Sequence, residues 1–337
     1  MIDLDDFKPV NDIFGHAAGD DVLNEAAKRL VAICGDRAMA CRFGGDEFAV
    51  LTGTIQGITD AELTARQIAA AFDRPFATGT AESRLGASLG VALYRADEMA
   101  PEDAIRHADV ALYRAKEDHH SAYQVFEQRM EDELRRKNLM EQKLRKAITY
   151  GAVQPFFQPL VNLKNSELIG FEALARWTDP DFGVVSPADF ITLAEETGLI
   201  TELSEHLLRA ACRAAVRWPS HLKLAFNLSP KQLKDRLIGL RILSILGETG
   251  LSPRRLEIEV TEGSLVEDKD LARELLGGLR RAGVRIAIDD FGTGYSSLAY
   301  LNALPADYLK IDKGLADGII RSERASLVVR GVIGMAR

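Results

Sequence analysis

The chain has 337 residues, 47% hydrophobic and 27% charged, with a formal net charge of −8. That length predicts two domains. The acidity excludes a protein that grips a nucleic-acid polymer through a basic face, because such a face must neutralise many phosphates. There is no tract of ~18 apolar residues, the length that spans a membrane. The opening MIDLDDFK has neither the basic start nor the apolar core of a signal peptide. Cys34, Cys41 and Cys212 are spaced neither as a disulfide framework nor as a zinc site. A cytoplasmic setting is expected, and an acidic chain that handles phosphates needs metal ions held by carboxylates to offset the repulsion.

From Met1 to about Phe126 the pattern is mixed α and β. DDVLNEAAKRLVAIC reads as a helix, with Val22, Leu23, Ala26, Leu30 and Ile33 on one face. RFGGDEFAVL holds two short apolar segments around Gly44-Gly45 and reads as a tight hairpin. A helix near Ala61–Phe72, a strand in GASLGVAL and a helix in PEDAIRHADVALYRAKE follow.

Residues 127–150 shift to a charged composition without Gly or Pro, with Met130, Leu134, Leu144 and Ile148 spaced along one helical face. This segment is expected to be a helical connector. From Gly151 to Arg337 the rhythm becomes strand and helix in turn. PFFQPLV, IGFEALAR, KLAFNLS, RLEIEV, VRIAIDD and ADYLKID are the strands; PADFITLAEETG, PKQLKDRLIGLRILSILGE and DLARELLGGLRRAG are among the helices. Repeated β/α units imply a mainly parallel sheet. A closed (β/α)8 barrel takes ~250 residues, and 187 remain here, so an incomplete barrel is expected.

Each strand after the first carries a polar group at or near its carboxyl end: Glu172, Asn227, Glu259, the pair Asp289-Asp290, and Lys310. In a β/α barrel those ends converge on the active face. Carboxylates with one amide oxygen suit hard cations such as Mg²⁺ or Mn²⁺. Adjacent Asp289 and Asp290 suit two ions, one carboxylate bridging and the other serving the second. Two ions ~3.5–4 Å apart activate water and clamp both oxygens of an in-line phosphoryl displacement, with Lys310 orienting water or balancing phosphate charge. The residues alone point to phosphodiester hydrolysis.

FEALARW, FNLSPKQL, LEIEVTE, IDDFGTGYSSLAYL and DYLKID resemble, in order, the motifs of EAL-domain phosphodiesterases, which open cyclic di-GMP to linear pGpG. The resemblance implies that Glu172, Asn227, Glu259 and Asp289 hold a first metal, and that Asp289 and Asp290 serve a second. It further implies that Gln158 and Arg176 contact the nucleotide, and that Glu262 braces the loop DFGTGYSS, where Gly292, Thr293 and Gly294 fit a mobile hinge.

MIDLDDFKPVNDIFGHAAGDDVL followed by RFGGDEF resembles the GGDEF diguanylate cyclase pattern over residues 1–126. This implies a palm-like α+β nucleotidyl cyclase domain, in which two facing copies condense two GTP. Asp3 and Asp46 are then metal ligands, Glu47 supports the reaction, Asn11 and Asp20 read guanine, and Lys116 contacts the triphosphate. Two departures stand out. Where the family often has Gly-Arg-Asn after that lysine, this chain has His119-His120-Ser121, a weaker and pH-dependent phosphate partner. The Arg-x-x-Asp product-inhibition motif falls at Gly35 and Ala38 and is absent.

Met1 falls where the family pattern is in mid-strand, and Arg337 falls inside a helix-like stretch. The chain therefore reads as a piece of a longer protein, lacking the first domain's N-terminal part and the barrel's last strands. As it stands it is expected to be poor in both activities, to leave a gap in the barrel and to form a homodimer through either domain. A membrane anchor in a missing N-terminal region stays open. Two other readings also stay open: a cyclic di-GMP or GTP receptor without catalysis, and a metal barrel of the enolase type, which the NLS and DDFGTGYSS contexts disfavour.

Overall fold

The computed structural model describes residues 1–78, 81–95, 97–118, 122–263, 269–291, 305–318 and 329. They form two compact units, Met1–Asn138 and Leu139–Arg337. Among the described residues no helix is long and apolar enough to cross a membrane.

In the first unit the elements run β1 (Ile2–Leu4), α1 (Phe7–Phe14), α2 (His16–Cys34), β2 (Ala38–Gly44), β3 (Glu47–Thr52) and α3 (Ile58–Phe72). A small hairpin of β4 (Phe76–Thr78) and β5 (Ala81–Ser83) precedes β6 (Ala87–Val91), α4 (Pro101–Glu117) and β7 (Tyr123–Val125). The five-stranded sheet has the order β2-β3-β1-β6-β7, so three-residue β1 lies at its centre. Strand alternation sends Ile2 and Leu4 into the core with Val22, Leu23, Ala26 and Leu30 of α2, and leaves Asp3 for the other face. The expected helix face is thus the buried one, with Ile33 at its margin.

The β2–β3 turn differs slightly from the expected one. Gly44 stays in β2 opposite Glu47, and the two turn residues are Gly45 and Asp46. Gly45 takes φ +53, a conformation that side chains with a Cβ adopt at a cost. Asp46 is therefore presented by the turn rather than by a strand.

Helix α5 (Gln128–Thr149) is continuous through the charged stretch, and the division between the units falls within it. In the first unit Met130 and Leu134 pack with Val110 and Ala111 of α4. In the second, Leu144 and Ile148 join the larger core. The apolar stripe read from the sequence is what each half buries.

The second unit contains β8 (Val153–Val161), β9 (Leu168–Asp179), β10 (Gly183–Val185), α6 (Pro187–Glu196), α7 (Ile200–Ala215), β11 (Lys223–Asn227) and α8 (Ile238–Thr249). After these come β12 (Leu256–Thr261), α9 (Lys269–Arg281), β13 (Arg285–Phe291), β14 (Tyr308–Ile311) and α10 (Lys313–Gly318). Strands β9, β11, β12, β13 and β14 are successive parallel neighbours. β8 is antiparallel to β9. The link between them is a tight turn, in which the Asn162 carboxamide oxygen accepts from Lys164 N and Ser166 takes φ +58. So short a link permits only antiparallel pairing.

The six expected strands are present, joined by the short arm β10 on β9. Among the described residues β8 pairs with β9 alone and β14 with β13 alone, an open sheet as expected. Two helical details differ from expectation. The stretch from Pro230 is a 3-10 turn to Lys234, then an extended Asp235 whose carboxylate accepts from Leu237 N, and only then α8. Helix α7 was not among the expected elements, although Leu203, Leu207, Leu208, Ala211, Cys212 and Ala215 recur at helical spacing and are all buried.

Candidate active site

The register of the second sheet decides which side chains share a face. Ala225 pairs with Glu172, Asn227 with Glu259, Glu259 with Ala287, and Thr261 with Asp289. Ile288 pairs with Leu309, which sets Asp289 level with Lys310. Every step from Glu172 through Asn227, Glu259 and Asp289 to Lys310 is a cross-strand pair or a two-residue move along a strand. With a side-chain period of two, all five point to one side. Glu172 lies inside β9 rather than at its end. Parallel pairing of β9 with β11 stops at Ala173, one residue later, and β9 runs on because β8 pairs along it to Trp177 and β10 pairs with Trp177–Asp179.

The five side chains meet. Lys310 Nζ donates to Glu259 Oε2 at 2.6 Å, and to Glu172 Oε2 and Asp289 Oδ2 at 3.4 Å each. Asn227 Nδ2 donates to Glu172 Oε1 at 2.8 Å. Glu259 is 1% exposed, and its Oε1 is buried with no hydrogen-bond partner among the described residues. Burial above all pushes the Glu259 carboxyl up, to about 7, with Glu172 and Asp289 adding repulsion and Lys310 opposing. Burial works against the Lys310 ammonium, but its bond to Glu259 and the charges of Glu172 and Asp289 outweigh that and hold it above its ordinary value.

Asp290 reaches the same neighbourhood by a different device. Ile288 pairs with Leu309 but Phe291 with Ile311, so β13 carries one extra residue. Asp290 sits in that bulge at φ +53, strained for a residue with a Cβ. Regular alternation would turn it away from Asp289; the bulge re-aims it. Burial, then the charges of Asp289 and Asp312, raise its carboxyl, while Lys310 opposes.

Gln158 pairs directly with Glu172 across β8 and β9, and Arg176 follows Glu172 by four residues, so both belong to the site's face. Arg176, Asn227 and Glu259 also line a cavity of about 280 Å³ that runs between β9 and β11 toward α6 and α7. Glu262 is buried, and its backbone N–H donates to Asp289 O at 3.1 Å. Beyond Phe291 the loop it was expected to brace, with Gly292, Thr293 and Gly294, lies outside the described residues, as do His119, His120 and Ser121.

The first unit gathers its acids at β1. Asp3 pairs with Glu47 on one side and Ser88 on the other. Lys116 Nζ, on α4, stands 2.7 Å from Asp3 Oδ2. Burial raises the Asp3 carboxyl first of all, with Asp46 and Asp5 adding repulsion against the pull of Lys116. Asn11, on α1, lies against the start of α2: a Cβ on Gly19 would come 2.1 Å from Asn11 Oδ1, so any other residue there would displace the Asn11 side chain. Asp20 is the next residue and is exposed.

Comparison with known proteins closes the assignment. Residues 141–337 match the EAL domain family, and residues 1–122 match the family described as diguanylate cyclase, GGDEF domain. The chain is a GGDEF–EAL protein. It is 36% identical to the bifunctional diguanylate cyclase/cyclic di-GMP phosphodiesterase MucR of Pseudomonas aeruginosa, over 100% of this chain and 50% of that protein. It is 33% identical to the cyclic di-GMP phosphodiesterase PdeR of Escherichia coli, over 100% of this chain and 51% of that protein. Among solved structures, the MucR phosphodiesterase in complex with c-di-GMP aligns with a TM-score of 0.56 and 36% identity, covering 59% of this chain and 82% of that one. The chain spans about half the length of the curated relatives it matches, or less. Membership in this family sets the enolase reading aside.

The residues of the EAL domain fit a hard divalent cation by donor type: one carboxamide and three carboxylates, one of which, Glu259, has a buried oxygen without a hydrogen-bond partner among the described residues. Among the described residues no three acids are spaced as a ligand shell around a common point; the acids meet at the Lys310 ammonium instead. In the GGDEF domain Lys116 stands to Asp3 in the same relation. Sequence reasoning did not single out Asp5, whose carboxylate accepts from Ser88 Oγ at 2.8 Å beside Asp3, nor the cation pair Lys223 and Arg285, both of which donate to the Tyr308 hydroxyl. The alternation of Asp3 and Asp5 in MIDLD was the available signal for the first.

Proposed function

We propose that the EAL domain hydrolyses cyclic di-GMP to linear pGpG with Mg²⁺ or Mn²⁺, and that the GGDEF domain binds GTP and condenses two molecules when two copies face each other. The observation that carries the first part is one ammonium, Lys310 Nζ, hydrogen-bonded to acids from three different strands. Acids held this close to one another are costly unless cations neutralise them. Similarity to MucR and PdeR supports the same substrate.

Glu172, Asn227, Glu259 and Asp289 would hold one cation, and Asp289 with Asp290 a second. Bound there, the cations supply positive charge against the phosphodiester and lower the pKa of water. Lys310 adds a fixed positive charge at the same point. Gln158 and Arg176, on the same face as Glu172, orient the nucleotide. In the GGDEF domain Asp3 and Asp46 would hold metal, Glu47 supports the reaction, Lys116 meets the triphosphate, and Asn11 and Asp20 read guanine.

A second reading applies to the GGDEF domain only: GTP binds there as a regulator without being cyclised. The sequence His119-His120-Ser121, in place of the family's Gly-Arg-Asn, favours it. Incubating the full-length protein separately with GTP and with cyclic di-GMP, each with Mg²⁺, and identifying the products by mass tests both parts. Formation of pGpG supports the EAL assignment, and absence of cyclic di-GMP from GTP selects the regulatory reading.

A further inference from the structure

The second sheet has two ends of opposite charge. Strands β9, β11, β12, β13 and β14 are parallel, so the segments leading into them all reach the sheet at the end away from the acid cluster. Those segments are residues 162–167, 216–223, 250–256, 280–285 and 305–308. Together they hold eight Lys or Arg against two acids, Glu167 and Asp307. The formal net charge of −8 for the whole chain conceals this basic end.

Half of these cations are engaged within the fold. Arg255 donates to Leu222 O at 2.9 Å and to Ala215 O at 2.7 Å, which caps the last residue of α7. Arg280 meets Asp307 at 3.0 Å, and Lys223 and Arg285 donate to the Tyr308 hydroxyl. The other four, Lys164, Arg217, Arg254 and Arg281, are exposed. Among the described residues their side chains make no hydrogen bond or ion pair. The acids nearby are already taken: Asp307 by Arg280, Glu248 by Arg209 and Arg213, and Glu167 by Asn165 Nδ2, which donates to it at 2.6 Å. A cation beside a helix C-terminus offsets the helix dipole, which accounts for Arg281 in the last turn of α9. It does not account for Lys164, on the turn between β8 and β9, or for Arg254, on the 3-10 turn Pro253–Arg255.

The same end carries an apolar tip. Leu163, beside Lys164, is 95% exposed, and its turn is pinned. Ser166 N donates to Asn162 O at 2.7 Å, Lys164 N to Asn162 Oδ1 at 2.9 Å, and Glu167 N to Asn165 Oδ1 at 3.2 Å. A leucine held outward in this way adds nothing to the core. A bilayer with acidic headgroups offers spread negative charge and, just beneath it, an apolar layer. An acidic peptide or a nucleic-acid backbone would match the four cations and leave Leu163 in water. We infer that this end of the EAL domain docks on an anionic lipid bilayer. Leu163 enters the boundary between headgroups and acyl chains, and Lys164, Arg217, Arg254 and Arg281 lie over the lipid phosphates. The acid cluster then faces away from the bilayer, open to solution.

Hydrogen exchange of the full-length protein, alone and with vesicles, reads which backbone the bilayer covers, whatever else in the protein touches lipid. Vesicles of phosphatidylcholine with phosphatidylglycerol are expected to slow exchange in residues 162–167 and 250–256, and phosphatidylcholine alone is not. Each Lys or Arg near an anionic surface strengthens binding roughly fivefold. Reversing three of them, in Arg217→Glu/Arg254→Glu/Arg281→Glu, is therefore expected to abolish the slowing at 162–167, with any slowing elsewhere retained. Leu163→Ser keeps the charge and is expected to weaken the slowing while leaving its salt dependence in place. Both variants are expected to melt with the unmodified protein, because surface substitutions away from packed features change stability little. Should the triple variant fold poorly, added salt is expected to remove the same slowing from the unmodified protein, since it screens exposed charge. No slowing at 162–167 on phosphatidylglycerol vesicles, equal slowing on phosphatidylcholine alone, or slowing that survives charge reversal would overturn the inference. Coverage of these residues by polyglutamate or duplex DNA but not by vesicles would do the same. None of these readings depends on hydrolysis of cyclic di-GMP.

Discussion

Lys310 Nζ lies 2.6 Å from Glu259 Oε2, joining the middle of β14 to a carboxylate on β12 that is fully shielded from water. Glu172 and Asp289 complete the ammonium's contacts, so one positive charge holds three negative ones together. Removing it leaves a buried carboxylate without compensation, a loss that costs about 3–5 kcal/mol when a buried pair is broken from one side. Lys310→Met is therefore expected to lower the melting temperature of the metal-free protein markedly, and excess Mg²⁺ to restore part of it. Thermal melts with and without Mg²⁺ check this; an unchanged metal-free melt would contradict it.

Glu259→Gln inverts that pattern. It removes the charge that is hardest to bury while keeping an oxygen for Lys310, so the metal-free protein is expected to be as stable as the unmodified one or more so. Hydrolysis is expected to fall by a factor on the order of 10³, since the variant forfeits the charge proposed to hold a cation. Glu172→Ala is expected to lose activity to a similar degree, with kcat rather than KM carrying the change. Steady-state kinetics beside thermal melts separate the two effects.

In the GGDEF domain, GTP is expected to bind at least ~10-fold more tightly than ATP, as sites that hydrogen-bond one base reject another. Asn11→Ala is expected to narrow that ratio. Lys116→Met is expected to weaken GTP and ATP alike, because Lys116 is proposed to meet phosphate rather than base. Competition titrations with the two nucleotides give both numbers, and equal affinities in the unmodified protein would count against the assignment of Asn11 and Asp20.

Asp179 supplies a pH prediction away from either site. Its carboxylate accepts from Lys143 Nζ at 2.9 Å, Asp181 N at 2.9 Å and Phe182 N at 3.2 Å. Burial alone would raise it, but these hydrogen bonds prevail and hold it below the ordinary carboxylate value. A lowered folded value contributes stability above the unfolded pKa of ~3.9, lost as pH falls through the folded value. Unfolding free energy is therefore expected to drop on acidification below about pH 4, less steeply in Asp179→Asn. Asp179→Ala, which also orphans two backbone donors, is expected to cost about 1–3 kcal/mol at neutral pH. Chemical denaturation across a pH series measures both.

The strands of the barrel and the five residues on its inner face were legible in the sequence because each acid sits on an apolar strand, where polarity is out of place. Helix faces were legible for the same reason: Val22, Leu23, Ala26 and Leu30 are spaced for burial and are buried. What the sequence hid depends on contacts between distant segments. Nothing in VRIAIDD marks the bulge that re-aims Asp290, because a bulge is a mismatch with the neighbouring strand. Glu172 looked like a strand-end residue, since only pairing with β8 and β10 carries β9 past it. PKQLKD read as the start of one long helix, but the 3-10 turn ends at Lys234, and the extended Asp235, whose carboxylate accepts from Leu237 N, separates it from α8.

The central claim is that the acids around Lys310 serve metal-dependent opening of cyclic di-GMP. The most direct measurement follows cyclic di-GMP by chromatography during incubation of the full-length protein with Mg²⁺, with and without excess chelator. The expected result is conversion to linear pGpG that stops in chelator and falls about 10³-fold in Glu172→Ala, as loss of a metal ligand requires. Turnover undiminished by chelator, or persistence of cyclic di-GMP in a protein shown to bind it with Mg²⁺ present, would contradict the account.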